Sequence, residues 1–164
     1  MLTRAERRSR SITTEPEFLL TTAEKQFKWL MGLWAITFAA GAAAALTPIS
    51  WVLVFAAHIP WLAKHQQELS QLYGNPVLAV ATAAGELQLA LFAWMIAWGV
   101  RRNNALAWLI VVGKVVFITG FSLFLIADGW PPFIHSLLIS ALAFDVIQLV
   151  TTVVFRQRAV HSRA

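Results

Sequence analysis

Residues 105–127 read ALAWLIVVGKVVFITGFSLFLIA, an apolar run in which Lys114 is the only charge. A helix over such a run is long enough to cross the roughly 30 Å hydrocarbon core of a bilayer. A lysine near its middle costs roughly 2.5–3.5 kcal/mol on insertion scales. Two further runs of this kind each carry one central acid, Glu86 within residues 76–100 and Asp145 within residues 132–155. A fourth, residues 29–46, carries no charge and stops at Thr47-Pro48. The pattern predicts an all-α integral membrane protein, a four-transmembrane-helix antiparallel bundle with a polar centre.

Composition supports the same class. Of 164 residues, 59% are hydrophobic and 13% charged, where a soluble domain carries about 25% charged residues. The chain has no cysteine, which excludes disulfides, thiolate nucleophiles and cysteine-based metal sites. The net charge of +5 does not point to nucleic acid, because of where the charges lie. Arg4, Arg7, Arg8, Arg10, Lys25 and Lys28 precede the first run, Arg101 and Arg102 lie between the second and third, and Arg156, Arg158 and Arg163 follow the last. Of the other two basic residues, Lys64 belongs to the opposite side and Lys114 lies inside a span. This is the positive-inside pattern, and it predicts both termini in the cytoplasm. The basic N-terminus is also expected to attract anionic membrane lipid.

The chain divides into a basic N-terminus and interfacial helix (1–28), a membrane domain (29–155) and a basic tail (156–164). Thr14 reads as an N-cap with Glu17 at the capping-box position and Pro16 in the first turn, so residues 18–28 are expected to lie along the interface and feed the first span. A signal peptide is not expected: the polar lead is too long, and more spans follow. The alanine and glycine of residues 39–45 allow a neighbouring backbone to come close. Arg101-Arg102-Asn103-Asn104 and Asp128-Gly129-Trp130-Pro131-Pro132 are turns between antiparallel neighbours. Trp29, Trp94, Trp98 and Trp108 fall towards the inner interface, and Trp51, Trp61 and Trp130 towards the outer, as an aromatic belt does. Residues 49–62, bracketed by Pro48 and Pro60, are too short to cross and suit a re-entrant or interfacial segment. In the polar stretch after them, His65 and Glu68 share a helical face.

Chemistry centres on the buried charges. Ala79, Ala83, Glu86, Ala90, Ala93 and Ala97 recur at spacings of four and three, a close helix–helix face into which Glu86 points. Ala141, Asp145, Gln148 and Thr152 form a comparable stripe in the last span, and Lys114 sits beside Gly113. The three charges lie at similar depth and are expected to converge. Glu86, Lys114 and Asp145 are the candidate catalytic residues, and Gln148, Trp94 and Phe117 the candidate substrate contacts. Two acids against one lysine leave a surplus carboxyl, which in an apolar cavity is expected to be neutral and able to act as a general acid. Three readings follow: a small membrane enzyme or binding protein for a lipophilic molecule, a structural cluster locking the helices of a non-catalytic subunit or scaffold, or a proton or ion path. His58, in the irregular segment, is the candidate cofactor ligand, although an interfacial histidine looks the same in sequence. No H-E-x-x-H spacing, phosphate-binding glycine loop or nucleophile elbow is present. The residues specify no cofactor. The alanine faces exceed what one bundle has to bury, which points to a dimer or trimer.

The run from Glu86 to Ile126, with its tryptophan-rich span, the Arg101-to-Asn104 turn and the Ala105-to-Lys114 sequence, resembles small bacterial four-span proteins of the DoxX and BphX-like kind. The likeness covers about a quarter of the chain. It implies a four-helix bundle in a bacterial inner membrane. Length and topology are also similar to styrene oxide isomerase, which implies isomerase-like chemistry and a haem held by a histidine near the second span. The second span here has no histidine, and His58 lies before it.

Overall fold

The structure is a computed structural model that describes residues 19–73, 76–127 and 131–163. The expected helix start at Thr14-Glu15-Pro16-Glu17, Trp130 and the Asp128-Gly129 part of the last turn lie outside the described residues. Seven helices run along the described chain: α1 (Thr22–Leu46), α2 (Ile49–Ala57), α3 (Pro60–Ala63), α4 (Gln66–Tyr73), α5 (Pro76–Trp98), α6 (Leu106–Ala127) and α7 (Pro132–His161). Of these, α1, α5, α6 and α7 are long and apolar enough to cross a membrane. By that length and composition the chain is a multi-pass membrane protein. The long helices pack in a ring, α1 against α5, α5 against α6, α6 against α7, and α7 back against α1.

The first span begins earlier than its apolar run. Thr21 is extended and caps α1: its hydroxyl accepts from Glu24 N at 3.2 Å, and the Glu24 carboxylate accepts from Thr21 N at 2.8 Å. Residues 22–28, expected as part of a separate interfacial helix, are therefore the opening turns of α1. Glu24 is fully buried and does more than cap. Arg101, in the turn after α5, donates to it from Nε and Nη2, each at 2.9 Å, and Arg163, beyond α7, donates from Nε at 2.6 Å. One carboxylate thus gathers the start of α1 and the ends of α5 and α7. In the same turn Asn103 donates from Nδ2 to Met95 O at 2.5 Å, a carbonyl that also accepts from Gly99 N at 3.1 Å as α5 ends.

At the opposite end, each proline starts a helix. Pro48 is the N-cap of α2 and Pro60 the first residue of α3, so residues 49–62 form two short helices rather than one piece. Helices α2, α3 and α4 fold on one another and reach the start of α7. There Phe133 stacks on His65 at 4.0 Å and meets Trp61 edge-on at 5.7 Å. His65 Nδ1 is 3.0 Å from the Glu68 carboxylate, as their shared face required.

The apolar core fills the half of the molecule nearer Glu24. Phe27, Met31, Trp34 and Phe38 of α1 interlock with Leu89, Ala93 and Ile96 of α5 and with Ala107 and Ile110 of α6. Trp29, Trp51, Trp61, Trp94, Trp98 and Trp108 all face outwards, whereas Trp34 is buried.

The Glu24 junction gives a stability prediction. Glu24→Gln keeps the cap's shape but weakens two charge-assisted contacts, and should lower stability by about 2 kcal/mol. Reversible unfolding of the wild type and the variant in mixed micelles measures it.

Candidate functional site

The three buried charges converge. Lys114 is 1% exposed, with Nζ 2.5 Å from the Asp145 carboxylate and 3.4 Å from that of Glu86. Its ammonium also lies over the Phe38 ring, 4.6 Å from the centroid, and 5.7 Å from that of Phe117. All four long helices therefore supply a neighbour to one cation. An aromatic face attracts a cation through its quadrupole, so the rings complete a shell that the two carboxylates leave open. α1 passes beside Glu86 at Gly41, where a Cβ would make ordinary contact with Glu86 Oε2 at 3.6 Å.

Beside this cluster lies a cavity of about 460 Å³. Phe117, Phe121, Leu137 and Leu138 give it apolar walls, and Ala44, Ala45 and Ala79 give it width. Lys114, Glu86, Asp145, Gln148 and Thr37 supply its polar side. The hollow half of the molecule is thus the half away from Glu24, with the charges between cavity and core. Gln148 is 3% exposed; its amide nitrogen donates weakly to Thr37 Oγ1 at 3.4 Å, while Oε1 has no partner. An unmatched buried acceptor costs about 1–3 kcal/mol, and its residue is part of the cavity lining. Thr152 Oγ1 and Trp34 Nε1 are likewise buried without a partner.

Of the residues expected from sequence, Glu86, Lys114, Asp145, Gln148 and Phe117 come together at the cavity. Trp94 does not join them. It is 55% exposed and lies against Trp98, with ring centroids 5.8 Å apart, on the outward side of α5. His58 is also apart: it is exposed at the end of α2, and its Nδ1 lies 2.7 Å from Val54 O of its own helix. The cavity lining contains no histidine, so a haem ligated by His58 would not share the charged cluster. Among the described residues, no group of three or more His, Asp or Glu side chains could hold a metal. Phe38, Thr37 and Gly41 were not singled out from sequence. Gly41 lies in the alanine-rich run, which marks close approach but not the partner, and Phe38 reads as an ordinary core residue.

No protein-family model, curated protein or solved structure matches this chain.

The arrangement separates two carboxylates by role. Asp145 holds the ammonium in the shorter, more buried contact, and Glu86 holds it loosely while facing open space. Removing the cation alone strands the acids, so Lys114→Met should destabilise the fold by about 3–5 kcal/mol. Replacing Glu86 and Asp145 by leucine in the same protein should restore stability to the wild-type level or above. Unfolding titrations of the single and triple variants in mixed micelles check both values.

Proposed function

We propose that this protein binds an amphiphilic small molecule in the cavity and acts on it by proton transfer from Glu86. The observation that carries this reading is an apolar cavity, of a size within the usual range for small-molecule sites, bordered by the buried charges. The ligand's apolar body would lie against Phe117, Phe121 and Leu138. Its head would meet Glu86 and the unpartnered oxygen of Gln148, which calls for a hydrogen-bond donor such as a hydroxyl. Lys114 stays with Asp145, leaving Glu86 as the group that carries and delivers the proton. General acid–base transfer of this kind contributes about 10²–10⁴ in rate, enough to isomerise an activated lipophilic substrate.

The site's surroundings fit a bacterial inner membrane with both termini on the cytoplasmic side. Arg101, Arg156 and Arg163 gather at the Glu24 end of the long helices, as the positive-inside rule asks of the cytoplasmic face. Helices α2 to α4 would then lie on the outer side as interfacial or re-entrant cover, and the four long helices would form an antiparallel bundle. The second reading, a scaffold locked by its charges, is favoured by the short Lys114–Asp145 contact. It does not account for the surplus carboxylate.

Native mass spectrometry on protein purified gently with its own lipids tests the proposal. A specific lipophilic molecule should remain bound to the wild type, and Glu86→Gln should weaken its retention about tenfold, the loss of one hydrogen bond to the carboxyl group. Gly41→Leu, which fills the cavity beside Glu86, should reduce it further, and His58→Ala should leave it unchanged. Bulk phospholipid alone, in equal amounts on every variant, would sink the proposal in favour of the scaffold.

A further inference from the structure

A second hollow, of about 320 Å³, lies between α5 and α6 and is lined by Gly85, Gln88, Leu89, Leu109 and Gly113 among others. It shares three residues with the first cavity, Thr82, Glu86 and Phe117. Those three therefore form the partition between the two spaces, and Glu86 faces both. Glycine helps to form the groove: a Cβ on Gly113 would stand 3.1 Å from Leu89 Cδ2, whereas one on Gly85 would meet nothing within 4 Å.

Gln88 gives the groove its chemistry. It lies near the middle of α5 and is exposed, and no hydrogen bond to another described residue holds its amide. A free amide at hydrocarbon depth is strongly unfavourable unless something pairs with it. Bilayer chains cannot. An occupant with a polar head can, provided that head both donates and accepts and carries no charge of its own to desolvate. A single-chain alcohol or phenol has this chemistry, and the unpartnered oxygen of Gln148 beyond the partition accepts from the same head.

We propose that the α5–α6 groove is a second subsite, where a hydroxyl-bearing amphiphile from the bilayer rests with its head on Gln88 before crossing to the cavity at Glu86. This rests on the cavity function proposed above and adds the route and head-group class. The open space at Gly85 lets the ligand's chain lie along α5, and Phe117 separates the chain from the Lys114 cluster until the head has moved across.

The test uses the full chain in lipid nanodiscs with hexadecanol bearing a mid-chain diazirine, irradiated and mapped by peptide mass spectrometry. Adducts are expected at Phe92 or Leu109 in the groove and at Phe121 or Leu138 in the cavity. Gly85→Leu places its side chain in the open groove; it should abolish the groove adducts and slow cavity labelling about tenfold. Gln88→Leu leaves α5 at its own volume and should also deplete the groove adducts, which keeps the test decisive if Gly85→Leu fails to fold. Cavity adducts alone, or cavity labelling at the wild-type rate in both variants, would overturn the groove subsite and leave the cavity function standing. No adducts at either place would overturn both. A dimer that Gln88→Leu dissociates, with no groove adducts, would assign the groove to a second copy of the chain.

Discussion

An ammonium in the middle of an apolar helix has to be met from neighbouring helices, and Lys114 sets that requirement here. Asp145 answers it from α7 at 2.5 Å and Glu86 from α5 at 3.4 Å, with the Phe38 ring of α1 over the cation. Burying charge without such partners costs several kcal/mol per ion. Any rotation of α6 that turned Lys114 outwards, or of α7 that withdrew Asp145, would incur that cost. Helix rotation is therefore specified by electrostatics at the centre, where apolar packing between long uniform helices discriminates weakly. At the Glu24 end a second buried charge works in the same way, drawing Arg101 and Arg163 onto the first turn of α1.

Between these two fixed points the chain packs tightly, and beyond Lys114 it does not. The core residues from Phe27 to Phe38 fill the space against α5 and α6. Past that level α1 changes to alanine and glycine, α5 presents Ala79 and Thr82, and the volume once filled by large side chains becomes cavity. Phe121 and Leu138 line the cavity without closing it. The sequence of sizes along α1, large then small, thus divides a packed half from a hollow half with the charges at the boundary. A boundary of this kind is where a polar group can meet a ligand without being solvated.

Much of this was legible in the residues, and the parts that were not have physical reasons. Four apolar runs gave four long helices, since length and hydropathy alone set those. Their ends were less accurate: α1 starts at Thr22 because a capping box forms at Thr21 and Glu24, and α7 continues to His161 because no residue after Phe155 breaks a helix. Glu86, Asp145 and Gln148 could be placed on inward stripes because helical periodicity reports which face a residue occupies. Trp94 could not be judged in the same way, since a tryptophan suits an outer face and a cavity wall equally. The role of Glu24 was hidden too. Its partners stand 77 and 139 residues away in sequence, and nothing local marks a glutamate as the meeting point of three helix ends.

The surplus of acid over base is the feature on which the proposed site and a simple staple differ. One carboxylate suffices to hold one lysine, and Asp145 supplies it at the shorter distance. A second carboxylate adds its own desolvation and repels the first, so in a structure selected only for rigidity it is a liability. Glu86 nonetheless stands there, bordering two cavities, with Lys114 Nζ at 3.4 Å and Gly41 of α1 beside it. Gln148 repeats the pattern, with its nitrogen turned to Thr37 and its oxygen left without a protein partner. Glu86 and Gln148 thus border the same cavity, and they are the polar groups that the proposed ligand would meet.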